Sequence, residues 1–424
     1  MEQLNLSWQL DEVTWLAGTV AFLVAAAVSL TSAAQAAGRK GQLTIWLLTL
    51  AALATISAGT VTAVMTGWTA VIALWLWLLP PNRSTYWLLL PLLGLWAVAG
   101  LAQWPAWAGM MLLVTAVIQM GVWPLSGWRT LADDLPWPLA ILLLALLPVM
   151  GLSLLARFPE AGQMGVAYGL VGTIFGLLGV LIGLRRAWSG VAKPMRAVAG
   201  LAQVQVNIAF LAAVWGGREA ALAETRLLLA VAVLYLATGR LQARWQLIGP
   251  VVALAALAGL PLTAGFAGLS ALYSAWWGNG RFLLILVLAI LHVPLVTAGF
   301  WLLRRQTAET APSPLEIAAW SLPVIGLITF TGLGNASAPI WLLILLPFAL
   351  GLVAMRFRPK VSEVRAILRR AFMFSRPRFW PRQLPTLLVT NVGTALREAA
   401  RILEGESGLL WLLAFVVILL LIRT

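Results

Sequence analysis

Cysteine is absent, histidine occurs once, and lysine occurs three times in 424 residues. Without thiols the chain forms no disulfide and offers no thiolate to zinc or to an iron–sulfur cluster. A single histidine, His292, excludes a multi-histidine metal or haem site. Charge is also scarce, at 10% of residues, where about 25% is usual for a soluble domain. So few charges cannot cover the surface of a water-soluble globule. A soluble enzyme, a nucleic-acid-binding domain and a disordered chain are thereby excluded. No cleavable signal sequence is expected, since the first apolar run is long enough to span and lacks a charged lead.

What is abundant is apolar: 62% of residues, with a mean hydropathy of +0.94. That composition reads as a polytopic membrane protein. Crossing the hydrocarbon as helix takes about 17–25 residues, and the sequence predicts an all-α bundle of about 14 such spans. They fall near 13–37, 42–57, 60–79, 86–102, 107–123, 137–156, 164–185, 196–214, 223–239, 246–275, 281–303, 315–332, 338–355 and 408–423. The second and third share one apolar stretch, split near Ser57 and Gly59. The tenth is overlong and holds Gly259 and Pro261, so a broken helix is expected there. The 23 tryptophans read as interfacial belt and packing residues.

Basic residues sort by alternate loops. Arg39, Lys40, Arg83, Arg129, Arg185, Arg186, Lys193, Arg196, Arg240, Arg244, Arg304 and Arg305 fall on one side, with eleven more between Arg356 and Arg401. Only Arg157, Arg218, Arg226, Arg281 and Arg423 fall on the other. The positive-inside rule makes the first side cytoplasmic and puts both termini outside a bacterial inner membrane. The net charge of +14 is then topological and lipid-facing, and nucleic acid is not an expected partner.

Three parts are expected: a transmembrane bundle over 1–355, a basic amphipathic interfacial segment over 356–407, and a last transmembrane helix over 408–424. The middle part is broken by Pro359, Pro377, Pro381 and Pro385 and sets Phe372, Phe374, Phe379 and Trp380 among arginines. That mixture suits the cytoplasmic interface or the docking of a neighbouring subunit.

Two stretches carry more than composition: Gln119-Met-Gly-Val-Trp-Pro-Leu-Ser-Gly-Trp128, followed by Asp133 and Asp134, and Gly259-Leu-Pro-Leu-Thr-Ala-Gly-Phe-Ala-Gly268. They resemble the signature stretches of the antiporter-like subunits of respiratory complex I, membrane-bound hydrogenases and Mrp-type cation/proton antiporters. Gly67-Trp68-Thr69 resembles that family's Gly-Trp-Glu, and Lys193 to Asn207 resembles its lysine-to-Ser-His-Met-Gly stretch. Leu10-Asp11, entering the first span, resembles the start of the family's third helix. The resemblance runs from about residue 8 to 303.

In that family, buried glutamate, lysine and histidine side chains relay protons at mid-membrane. By the resemblance, those positions are Thr69, Gln119, Ser126, the neighbourhood of Pro148 and Val149, Gln205 and Leu269. None is titratable. All three lysines, Lys40, Lys193 and Lys360, fall in loops. No acid falls in the middle of an expected span, with Glu12 and Glu316 at span ends. A residual polar path would consist of Gln203, Asn207 and His292. Its polar groups read equally as interhelical hydrogen bonds, and His292 as a core histidine bonded to a carbonyl freed by Pro294.

The resulting expectation is a degenerate antiporter-like subunit with no active site, metal or cofactor of its own. Its partners would be other membrane subunits of a complex I-like, hydrogenase or Mrp assembly, together with lipid. The alternative is an autonomous ion or small-solute transporter on the same bundle. A membrane enzyme acting on lipid-linked substrates would need acids at one face, and Asp133-Asp134 is the only acidic pair in an inner loop. The charge count makes a direct prediction, simplified by the absence of native cysteine. Ser189→Cys should react with an impermeant thiol reagent only in opened cells, and Gly217→Cys should react from outside. The opposite pattern would invert the topology.

Overall fold

The computed structural model describes residues 7–356 apart from 37, 79–87, 102–104, 124, 131–134, 158–165, 190–193, 239–243, 305–312 and 330–336. Asp133, Asp134, Lys193, the last span and all but the first residue of 356–407 lie outside the described residues. Within them the chain is all-α. The helices in order are α1 Glu12–Ser29, α2 Ser32–Ala36, α3 Gly38–Ile56, α4 Val61–Leu78, α5 Leu90–Gly100, α6 Pro105–Met120 and α7 Trp137–Arg157. They continue as α8 Val166–Ser189, α9 Pro194–Ala237, α10 Ile248–Leu257, α11 Ala264–Gly278, α12 Phe282–Arg304, α13 Pro314–Thr329 and α14 Ala338–Arg356. Each of the first thirteen expected spans overlaps one of these helices or part of one, except that the first takes in α1 and α2 and the tenth takes in α10 and α11. Five helices are long and apolar enough to cross a membrane, and five shorter ones are apolar. The fold is that of an integral membrane bundle.

Helix α9 is 44 residues long as a continuous hydrogen-bonded segment, but Gly217 in it has φ 71° and ψ −156°. The Gln205 amide nitrogen donates to a Glu224 carboxylate oxygen over 2.5 Å, across 19 residues of sequence. In a straight helix these two residues would lie about 28 Å apart. The bond therefore requires that 194–216 and 218–237 run antiparallel, as a hairpin turning at Gly217. The pair of spans read from the sequence is recovered, with the turn at an exposed glycine. This hairpin sits at the centre of the bundle, and α1, α7, α8, α11 and α13 all pack against it.

The overlong tenth span is broken, as the glycine and proline imply. Helix α10 ends at Gly259, whose φ of 68° reverses the chain. The Gly259 amide bonds to Ala256 and the Leu260 amide to Ala255, a Schellman ending that needs the left-handed conformation. Leu262 also has a positive φ, 67°, which costs a non-glycine residue about 1–2 kcal/mol. The two halves press together at Gly265, where a Cβ would overlap the Ala256 carbonyl oxygen.

One end of the bundle is pinned by an arginine. Asp11 caps α1, accepting from the Thr14 amide at 2.9 Å. Arg157, at the end of α7, donates to Asp11 and to the Thr14 hydroxyl, both at 2.7 Å. Its other terminal nitrogen reaches the carbonyls of Ile56 and Ala58, at the end of α3. The side chain is only 8% exposed, so each bond replaces water at a helix terminus. Arg218 pairs with Glu12 at 3.6 Å, and Arg281 lies 3.9 Å over the Trp215 ring. Residues 11, 56–58, 157, 215–218 and 281 thus share one end, as alternate crossing requires.

Burial alone would raise the Asp11 pKa. The Thr14 amide, the Arg157 guanidinium and the Thr14 hydroxyl outweigh it and hold it below the ordinary 3.8. A carboxylate held low stabilises the fold above its unfolded pKa and loses that contribution as pH falls through the lower, folded value. Thermal stability in detergent should therefore drop below pH 3.8. Asp11→Asn should be less stable at pH 7 and lose less over the acid window. Parallel pH curves for the two proteins would refute this account. Gly265→Ala should lower the melting temperature by the equivalent of about 1–3 kcal/mol. An unchanged melting temperature would mean that the close approach to Ala256 is not a constraint.

Candidate functional site

The first signature stretch forms a helix ending. At the end of α6 the Gly121 amide bonds to the Ile118 carbonyl, and the Val122 amide to Val117. Gly121 has φ 67°, a Schellman ending like that of α10. Trp128 Nε1 donates to the Ile118 carbonyl at 2.7 Å. Arg129 donates to the Met120 and Gly121 carbonyls, both at 3.0 Å, and stacks on the Trp128 ring at 5.2 Å. A Cβ on Gly121 would lie 2.7 Å from Arg129 Nε, so the glycine both turns the chain and admits the guanidinium.

The sequence places Arg129 in a basic inner loop. The structure instead buries it, at 2% exposure, against the negative end of the α6 dipole. Burial pushes its pKa down to about 9, which leaves it charged at neutral pH.

Two residues of the expected polar path join this ending. Gln203 donates to the Gly121 carbonyl at 3.3 Å. Asn207 donates to the Gln203 carbonyl at 2.6 Å, and its side-chain oxygen accepts from the Trp123 amide at 3.4 Å. Both residues therefore fasten the first arm of the hairpin to the α6 terminus. Gln119, two residues before Gly121, is buried, with neither side-chain polar atom bonded. Ser126 is half-buried, and its carbonyl accepts from the Arg129 amide.

The remaining relay positions do not gather. Thr69 is exposed on α4 and bonds back to the Met65 carbonyl of its own helix. Leu269 is buried and packs on Gly259 of the broken span. Pro148 and Val149 lie in the buried length of α7. His292 is 3% exposed and approaches the carbonyls of Leu257 and Leu288, with neither ring nitrogen in hydrogen-bond geometry. Its neighbours are thus one turn back on α12 and across on α10, rather than the carbonyl freed by Pro294. Gln205 faces away from Gln203 and Asn207, two residues to either side of it, because successive helical positions turn by about 100°.

That opposite face holds what the sequence reading missed. Glu224 is 0% exposed, which corrects the expectation that every acid lies at a span end or outside. One of its oxygens accepts from Gln205, the position matched to the family's relay histidine. The other has no hydrogen-bond partner and abuts Gly268, where a Cβ would overlap it. Gly268 is the last residue of the second signature stretch. The signal available in the sequence was the helical register: Glu224 lies seven positions beyond Gly217, or about 10 Å into the bundle. Among the described residues no three His, Asp or Glu side chains converge as a metal site would require.

No family model matches the sequence, and no curated protein matches it. Among solved structures, the chain superposes on a chain of the Mrp complex from Dietzia sp. DQ12-45-1b, with a TM-score of 0.65 and 16% identity. The fold is similar to that of an Mrp-complex chain. The match covers 98% of this chain and 57% of the Mrp-complex chain, so this chain spans little more than half of that length.

Proposed function

We propose that this chain is an antiporter-like membrane subunit of a larger membrane assembly, filling a position among related subunits without the family's own proton relay. The observation that carries this reading is the pairing of an antiporter-like fold with substituted relay positions. Thr69 faces outward on its helix, Leu269 has become packing, and Gln119 and Gln205 carry amides where the resemblance implies a lysine and a histidine. What remains of the first signature stretch caps α6. What remains of the second breaks the α10–α11 span and seats it on the hairpin. Both are architectural tasks that survive without titratable groups. The basic loops support a bacterial inner membrane with the termini outside, and Mrp, complex I-like and hydrogenase assemblies are the classes of parent this reading admits.

Affinity purification of the tagged chain from its native membrane, followed by a native gel, tests the assembly. The chain should run with further membrane subunits. A stable single-chain species active in liposomes would replace this reading with that of an autonomous transporter. Thr69→Ala, Gln119→Ala and His292→Gln should assemble normally and leave proton translocation by the assembly within about twofold of wild type, since each removes at most one interhelical bond. Normal assembly with reduced proton yield in His292→Gln would make that histidine part of a working path.

A further inference from the structure

The geometry points to Glu224 as a proton-binding site, built on the second arm of the α9 hairpin and exchanging with the end of the bundle where the hairpin turns. It goes beyond the subunit assignment and does not depend on complex membership. Three observations meet at this residue. The carboxyl group is fully enclosed. It has one neutral donor, the Gln205 amide at 2.5 Å, and a second oxygen with no partner. The space before that second oxygen exists because residue 268 is glycine.

No charged side chain is paired with Glu224 among the described residues. Its polar neighbour across the hairpin is Gln205, and α11 presents Gly268 to it. Arg226, two residues further along, is half-buried, and its electrostatic counterpart is Glu12. Arg157 is committed to Asp11, and Arg281 to the Trp215 ring. An ionised carboxylate enclosed without a cation costs far more than its neutral acid. The arrangement therefore suits a group that carries a proton while closed in and loses it only when water reaches it.

Distance sets the direction of exchange. Glu224 lies about 10 Å from the Gly217 turn and about 20 Å from the far end of its arm at Ala237. The turn itself is open, with Gly217, Arg218 and Glu219 exposed. A packed apolar residue would serve a purely structural role better, since replacing buried charged groups by well-packed apolar ones is often neutral or stabilising. One oxygen left free, beside a residue with no side chain, is the feature that a structural role does not require.

Infrared spectroscopy of the full chain in liposomes tests this directly. Wild type should show the carbonyl stretch of a protonated carboxylic acid. The band should shift on transfer to deuterium oxide, diminish as pH is raised, and be lost in Glu224→Gln. Gln205→Leu removes the amide donor and should move the band to higher frequency without abolishing it, an effect that a packing role would not produce. Gly268→Ala fills the space before the free oxygen and should displace the band as well. A band of equal intensity in wild type and Glu224→Gln overturns the proposal, as does its absence from folded wild type at acid pH. A band that vanishes at constant pH when sodium is added also overturns it, in favour of a metal-cation site. Because the isolated chain is measured, the result is independent of whether the chain enters a larger assembly.

Discussion

A chain dissolved in lipid must satisfy its backbone polar groups from within, and this constraint organises most of the bundle's interior polarity. Helix ends are where it bites, because the last turns carry carbonyls with no intrahelical partner. At α6 the problem is solved by a left-handed Gly121, by the Trp128 indole, by the Arg129 guanidinium and by the Gln203 amide, which together serve the carbonyls of Val117, Ile118, Met120 and Gly121 in the last turn. At the opposite end Arg157 does the same for α3 while also holding the cap of α1. Arg129 and Arg157 thus bond backbone carbonyls more than carboxylates. That is economical in a chain with 14 acids, and consistent with the strength of hydrogen bonds donated by a charged group.

The same constraint separates two uses of polar side chains that look alike in sequence. Gln203 and Asn207 end on backbone, so they fix where the first hairpin arm meets α6. Gln205, between them, ends on a carboxyl group on the returning arm. A helix offers these residues to different sides, and the alternation sorts anchoring from ligation within five positions. The small residues of the second signature stretch show the corresponding division in packing. Gly265 admits a carbonyl of its own broken span, whereas Gly268 admits a side chain of the hairpin.

How far the sequence discloses this architecture depends on the range of the interaction. The spans are local averages over about twenty residues and are legible, as are the split near Ser57 and the break at Gly259-Leu-Pro. Arg129 is misplaced by the same method, since its neighbours make a loop, and only the folded chain shows that the loop turns inward to cap α6. Glu224 is harder still. It stands just beyond the polar turn Gly216–Glu219, where a hydropathy window dilutes it into the loop, and its partner is 19 residues away. Positions matched through a resemblance inherit a further weakness. Gln205 is matched to a titratable residue and is not one, while the titratable group beside it stands where the family motifs give no reason to look.

The Arg157 clamp has a consequence for how the protein is made. It joins the beginning of α1, the end of α3 and the end of α7, so its parts emerge from the ribosome at very different times. The first two spans must enter the membrane with Asp11 and the carbonyls at the end of α3 unlatched, and stay so until about a hundred further residues have been synthesised. Closure then fastens the start of α1 to a helix that itself packs against the central hairpin. The latch can close only once the end of the seventh helix has reached the side of the membrane where α1 begins and α3 ends.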